Sequence, residues 1–499
     1  MSSAPASLQQ VPAHPPDQPS PGSVRPDATD LAALLRTGET TPSELTEAAV
    51  AALEELNPEL NAVIHPRYDA ARAEAADMTA APSRHRAGPF AGVPMVVKDL
   101  RCGQAGEPHH RGARFLAEAA WTEKDDSYLW RDLRRAGFIS LGRTNTPEFG
   151  STITTEPLAY GPTHNPWNLA LTPGGSSGGS AAVVAARVVP VAHGNDGGGS
   201  LRVPAAMCGL VGLKPNRGRI SAGPQAGISR GGFASDGVLS VSVRDTAAVL
   251  DEIMSPRPGD PITVGAPTVP LSTAVDRVLR GLRIGVTTRL GDPTIRAAVE
   301  HTAALLESLG HVIHPDEQPT GWFDPELGQH TVVIRTVGMA TDLRHWGEVL
   351  GRAITEADVE PSNWFSAQLG ASLPATAVIE ATDWLHSWSR TALDWWARDH
   401  DLLLSPVVGT VTPELGVLSD PHEGQRRLGD LLGFVDQANV SGQPAMSLPL
   451  WWDERGMPVG VQLVAAPGRE DVLISVAAQL ERAQPWAGFL PPMVASRDR

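Results

Sequence analysis

The stretch TPGGSSGGSAAVVAARVVPVAHGNDGGGSLRVP, Thr172–Pro204, carries two glycine/serine runs, Gly174–Ser180 and Gly197–Ser200, on either side of one apolar segment. Glycine loses more backbone freedom on folding than any other residue. Two such runs in close succession point to backbone N–H groups presented to something, or to main chain lying against a ligand. A pair of flexible linkers would continue in Ser, Gly or Pro. The intervening AAVVAARVVPVAHG is instead dense in small and β-branched residues suited to burial.

Local chemistry leaves several readings of this stretch. A phosphate cradle of the Walker type needs Lys and Ser/Thr after its last glycine, and Gly179 is followed by Ser180 and Ala181; GxGxxG is absent as well. Gly175-Ser176-Ser177-Gly178-Gly179 fits the GxSxG elbow with Ser177 as nucleophile, but Leu171-Thr172-Pro173 is a poor strand to precede it. A third reading pairs two serines with a lysine. A serine hydroxyl needs a base, and lysine serves only when burial lowers its pKa and leaves it neutral. Lys98 follows the apolar Pro94-Met95-Val96-Val97; it also fits a surface lysine beside Asp99. Asp196-Gly197-Gly198-Gly199-Ser200 sets a serine behind three residues without side chains, whose N–H groups could converge on an oxyanion. A purely structural crossing also remains open at this level.

Outward from this stretch, helical and strand patterns alternate. Asp30–Leu56 is predicted helical, with a helix start at Thr41-Pro42-Ser43-Glu44 and a stop at Asn57-Pro58. Further helices are predicted over Arg67–Met78, Asp125–Ala136, Ser180–Ala186, Arg244–Ile253, Ile295–Leu309 and Glu470–Glu481. Strands are predicted over Val93–Val97, Phe138–Leu141, Val188–Val191, Leu282–Val286, His311–His314, Asp401–Val408 and Gly460–Ala465. The alternation implies an α/β fold, a large mixed twisted sheet covered by helices on both faces. The stretch from about 256 to 400 reads as a helical insert, with Trp-rich helices around Thr341–Leu350 and Thr382–Trp396. Those tryptophans suit either a pocket wall or plain packing.

The chain has 499 residues and a formal net charge of −16, which argues against a nucleic-acid surface. Its 2 cysteines, Cys102 and Cys208, offer neither a disulfide framework nor zinc spacing, and fit a reducing cytoplasm. Residues 1–28, rich in Pro, Ser, Ala and Gln, read as a disordered arm rather than a signal peptide. No uninterrupted apolar run approaches the length of a membrane span.

Five blocks in order resemble the amidase signature family. They are AGVPMVVKDL (Ala91–Leu100), GRTNTPEF (Gly142–Phe149), GGSSGGSAA with GNDGGGSLRVPAAMCGLVGLKP (Gly174–Ala182 and Gly194–Pro215), NVSGQPAMSLPL (Asn439–Leu450) and GMPVGVQLVAA (Gly456–Ala466). The likeness covers about residues 30–485 and is least clear over 256–400, so the amidase domain is expected over 29–490. Among members, TTEP (Thr154–Pro157), NPWN (Asn165–Asn168), VAHGND (Val191–Asp196), GRIS (Gly218–Ser221) and GREDVL (Gly468–Leu473) look most like the aminohexanoate cyclic-dimer hydrolases.

The resemblance implies a Ser–cisSer–Lys triad. Lys98 matches its lysine, Ser176 its bridging serine with a cis peptide before it, and Ser200 its nucleophile. Gly197, Gly198 and Gly199 match the oxyanion hole, with the N–H of Ser200 contributing; Ser177, Asp196 and Arg202 are supporting. The implied partner is a small-molecule amide, with no metal, cofactor, nucleic acid or membrane, and members are often homodimers. A glutaminase-type subunit of a tRNA-dependent amidotransferase shares the triad and is the alternative. Asn195 and Gly197 depart from the family, which more often has Thr and a larger residue there. Gly197 is therefore expected to widen the acyl pocket.

Overall fold

The computed structural model describes residues 24–81, 88–228, 230–287, 292–398, 400–420 and 423–496. Among them, eleven strands form one sheet. In chain order these are β1 (Val63–Pro66), β2 (Pro94–Lys98), β3 (Ile139–Thr144), β4 (Val191–Asp196), β5 (Val211–Lys214), β6 (Ser235–Ser240), β7 (Arg283–Val286), β8 (Val312–Pro315), β9 (Leu402–Pro406), β10 (Ala445–Trp452) and β11 (Pro458–Ala465). Across the sheet the order is β1-β3-β2-β4-β6-β5-β10-β11-β9-β7-β8. Strand β2 runs parallel to β3 and β4, while β4–β6, β6–β5, β5–β10 and β10–β11 are antiparallel. The sheet is mixed, as expected.

Successive side chains on a strand face opposite sides, and here both sides are covered. Met95 and Val97 of β2, Val191 of β4 and Val238 of β6 enter one core, with Leu129, Leu133, Leu250 and Leu473 from helices. Their neighbours Val96, Ala192 and Leu239 enter a second core with Val50 and Leu53 and the helix Gly178–Ala185. All five residues of β2 are buried, including the lysine that ends it. No helix among the described residues is long and apolar enough to cross a membrane.

Several boundaries differ from the sequence reading. The first helical stretch is two helices, Ala28–Thr37 and Pro42–Leu60. The second carries Pro58 inside its last turn instead of stopping before it. Its end is set by Asn61 at φ 46°, with the Asn57 carboxamide accepting from the Ala62 and Val63 N–H groups. The strand expected at Val188–Val191 begins where that reading ended and runs to Asp196. Gly194 explains its unlikely composition: a Cβ there would meet Leu201 at 2.7 Å and Ser177 Oγ at 2.9 Å, so only glycine lets this strand approach the two serine runs.

Residues 1–23 of the expected arm lie outside the described residues, but its end is docked. Asp27 caps the first helix, and the Ala28 and Thr29 N–H groups donate to Asp245. Within 256–400 the strands expected at Leu282–Val286 and His311–His314 are present as β7 and β8. Three long helices of this stretch, Glu326–Leu350, Pro361–Ser372 and Ala375–Arg398, lie beyond them in sequence. Of the tryptophans weighed above, Trp388 and Trp396 pack on Trp322 at centroid distances of 5.9 and 5.6 Å in a buried cluster, whereas Trp346 lines the cavity described below.

Candidate active site

Lys98 ends β2 with no exposure to solvent. Its Nζ lies 2.7 Å from Ser176 Oγ, 3.0 Å from Ser177 Oγ and 2.8 Å from Asn195 Oδ1. The surface reading of this lysine is therefore excluded. The Gly175–Ser176 peptide bond is cis. Ser177 is held in turn by the backbone of β4: its Oγ donates to Asn195 O at 3.2 Å and accepts from Asn195 N at 3.3 Å. Asn195 Nδ2 donates to Leu100 O, tying the lysine cage to the chain that follows β2.

The second glycine run leaves the end of β4 and turns into the helix Arg202–Cys208. One buried ion pair fixes it. Asp196 accepts from Arg202 Nε at 2.8 Å and Nη2 at 3.0 Å, and from the N–H of Gly199 at 2.7 Å. Arg202 also donates to Asn439 Oδ1 and Gln462 Oε1, while Asn439 Nδ2 donates to Asp196 Oδ1 and to its carbonyl. Burial acts to raise the Asp196 carboxyl, but Arg202, the Asn439 hydrogen bond and Lys214 outweigh it and hold the group below the usual carboxylate range. This network changes one expectation. Of the three glycine amides matched to an oxyanion hole, that of Gly199 already has a carboxylate acceptor. The two runs are joined where Ser177 N donates to Ser200 O at 3.3 Å.

Ser176, Ser200, Asn195, Gly197 and Gly198 line a common cavity of about 410 Å³. Leu100, Phe149, Ile153, Ile228 and Phe233 supply apolar wall. Three guanidinium groups reach it, and each meets a carboxylate of the same chain. Arg101 pairs with Asp236 at 2.8 Å, Arg111 with Glu123 at 3.1 Å and Arg335 with Asp436 at 2.7 Å. Burial acts to raise Glu123, but His109 and Arg111 bring it down to about 2. Glu148, which precedes the lining residue Phe149, goes the other way: burial pushes it up to about 7 despite hydrogen bonds from Asn363 and the Glu360 N–H. A larger cleft of about 740 Å³ opens around Arg25, Leu31, Ala52 and Arg187, but holds neither the lysine nor either glycine run.

Lys98 thus contacts both Ser176 and Ser177, Ser176 and Ser200 line one cavity, and Asp196 and Arg202 hold the turn that carries Ser200. Sequence reasoning missed Asn439 and Gln462, although both sit inside blocks singled out above. It also missed Arg335 and Asp436, which no local pattern marks. Buried and lined by oxygen atoms, the Lys98–Ser176 contact is one through which a proton can pass toward or from the cavity.

A family model described as Amidase matches residues 44–474. A 6-aminohexanoate-cyclic-dimer hydrolase of Paenarthrobacter ureafaciens is 42% identical over 485 residues, covering 94% of this chain and 97% of that protein. The solved structure of 6-aminohexanoate cyclic dimer hydrolase complexed with substrate aligns with a TM-score of 0.88 at 41% identity, over 94% of this chain and 99% of that one. A bacterial aryl acylamidase of the amidase signature family aligns with a TM-score of 0.85 at 25% identity, over 95% and 99% of the two chains.

Proposed function

The chain belongs to the amidase family, and on that premise we propose that it hydrolyses a linear or cyclic carboxamide through an acyl-enzyme formed on Ser200. The observation that carries this is the 2.7 Å contact of buried Lys98 Nζ with Ser176 Oγ, at a cavity that Ser176 shares with Ser200.

In this reading Lys98 acts as the free amine. It takes the Ser176 proton as Ser176 takes that of Ser200, and Ser200 Oγ bonds to the amide carbon. The carbonyl π electrons move onto oxygen, where the N–H groups of Gly197, Gly198 and Ser200 stabilise the developing charge. Donors aimed at charge that appears only in the transition state are usually the largest single contribution. Gly199 serves instead to hold the turn, through its bond to Asp196. The C–N bond then breaks as Ser176 returns a proton to the leaving nitrogen and is itself reprotonated by Lys98. Water, deprotonated by the same relay, attacks the ester, and the carboxylic acid leaves with Ser200 restored. Ser177 holds Lys98 rather than reacting.

The wall favours an uncharged substrate, because its guanidinium groups are already engaged by carboxylates. Cyclic amides, beginning with the 6-aminohexanoate cyclic dimer for which the 42% identical relative is named, belong at the head of the panel to be tried. The test is a fluorophosphonate probe, peptide mapping of its adduct, and turnover of linear and cyclic amides by the purified chain. The adduct is expected on Ser200, with amide turnover independent of ATP and of added subunits. An adduct on Ser177 overturns the triad assignment and revives the GxSxG elbow.

A further inference from the structure

The Gly197–Gly198 peptide is gripped from outside the glycine run by a residue of the helical segment. Arg335, on the helix Glu326–Leu350, donates from Nη2 to the carbonyl of Gly197 at 3.3 Å. The same guanidinium is held by both oxygens of Asp436, at 3.0 and 2.7 Å. The pair also lies flat against the next residue: a Cβ on Gly198 would come 2.7 Å from Arg335 Nη2 and 2.8 Å from Asp436 Oδ1. Arg335, Gly197, Gly198 and Ser200 all line the one cavity.

A peptide unit is planar, and in its trans form the C=O and N–H point to opposite edges. Fixing the carbonyl of Gly197 therefore fixes the N–H of Gly198. Between two glycines this matters, because no Cβ restrains the plane from swinging. A charged donor on the carbonyl also polarises the unit and strengthens its N–H as a donor.

We infer that Arg335 is a positioning residue for the oxyanion hole, acting through the Gly197–Gly198 peptide, with Asp436 holding its guanidinium in place. This rests on the reading of Ser200 as nucleophile and extends it. The segment least like the family in sequence would then set the quality of the most family-like chemistry.

The experiment follows phosphonylation of the full chain by a fluorophosphonate, which needs no knowledge of the natural amide and builds negative charge on the phosphoryl oxygen. Removing an oxyanion donor outright costs about 10²–10³ in rate; loosening one is expected to cost about tenfold. Arg335→Gln should lower kinact about tenfold, leave KI within about twofold and leave the melting temperature unchanged. An unchanged kinact overturns the proposal. So does a fall in kinact accompanied by an equal rise in KI, since that marks a residue of binding alone. If Arg335→Gln fails to fold, Arg335→Lys, which keeps charge but loses the fork, must show the same split or the proposal fails. Ser200→Ala is run in parallel. Persistent labelling of that variant sinks the nucleophile assignment itself, and is distinguishable from any result at Arg335.

Discussion

The two glycine runs have almost the same composition and need their glycines for different reasons. In the first, Gly175 and Gly179 are forced by neighbouring backbone. A Cβ on Gly175 would lie 2.8 Å from the main chain at Ile153 and Thr154, and one on Gly179 would lie 2.6 Å from Asn145 N and 2.7 Å from Ala62 O. This run is a packing solution that wedges Ser176 and Ser177 against Lys98. In the second, Gly197 is open, its nearest neighbour being Ala234 Cβ at 3.5 Å. Gly198 meets an ion pair, and Gly199 needs a φ of +106°. Here glycine leaves main chain bare toward a cavity, and stiffness comes from charged side chains outside the run. A glycine-rich string therefore says nothing about rigidity until its surroundings are known.

The sharpest way to break this contrast is at the serines. Ser200→Ala is expected to lower amide turnover by at least about 10⁴-fold, as for loss of a triad nucleophile, and Ser176→Ala by a comparable factor. Ser177→Ala should cost far less. If Ser177→Ala is the most damaging, the two runs have exchanged roles.

Next comes the support beneath the second run. Arg202→Met leaves Asp196 buried without its cation, and breaking a buried pair costs about 3–5 kcal/mol. Urea unfolding reads this directly. A loss below about 1 kcal/mol would mean that the Asn439 bond and the packed backbone suffice to hold the turn.

The loop that packs on the first run gives a pH test. Glu148 ordinarily titrates near 4.5 and stands at about 7 in the fold. The folded state therefore keeps its proton over a window where the unfolded chain has lost it. Stability contributed by the protonated form is present below about 4.5 and is lost as pH rises through about 7. At about 1.4 kcal/mol per pH unit this loss reaches about 3 kcal/mol. Glu148→Gln keeps an acceptor for Asn363 and removes the titration. The variant-minus-wild-type stability should therefore rise over this window by that amount, and a flat difference from pH 4 to 8 would contradict it. Using the difference isolates Glu148 from Asp99, Asp245 and Glu481, whose burial also raises them to about 7.

The smallest effects compare the glycines themselves. Gly179→Ala gains about 1 kcal/mol of helix propensity, yet must push backbone aside, at about 1–3 kcal/mol; a net loss of about 1 kcal/mol is expected by thermal or urea melts. Gly197→Ala should fall within about 0.5 kcal/mol of wild type. Its larger counterpart Gly197→Thr should narrow the accepted acyl groups in the amide panel. An unchanged profile would remove Gly197 from the acyl pocket.

Much of this was legible in the sequence because the relevant signals are local. The alternation of helix and strand patterns carries a sheet covered on both faces, whereas Lys98 fits a surface lysine on local signals and is singled out only by the resemblance of its block to a family. Residues of β4, β5, β6 and β10 were harder to read. His193-Gly194-Asn195-Asp196 looks like turn chemistry, and becomes strand only because Gly194 admits Leu201 and Ser177. Ser235–Ser240 carries Asp236 inward to meet Arg101 and His193, which inverts the usual meaning of a charged residue in a strand. The spent N–H of Gly199 and the grip of Arg335 on Gly197 depend on contacts between residues far apart in the chain or on one side chain's rotamer. No spacing rule carries either.

The network under Asp196 also has a consequence in time. Its members stand at positions 196, 202, 439 and 462; Asn439 lies just before β10 and Gln462 on β11, neighbouring strands inside the sheet. During synthesis, Lys98, Ser176 and Ser200 leave the ribosome long before Asn439 and Gln462 exist to satisfy Arg202. Until then the turn that bears Ser200 has an arginine and an aspartate without their full set of partners, and the sheet lacks β10 and β11. A chain that stops short of Asn439 therefore carries all three residues proposed to react, but not the network that holds the turn bearing Ser200.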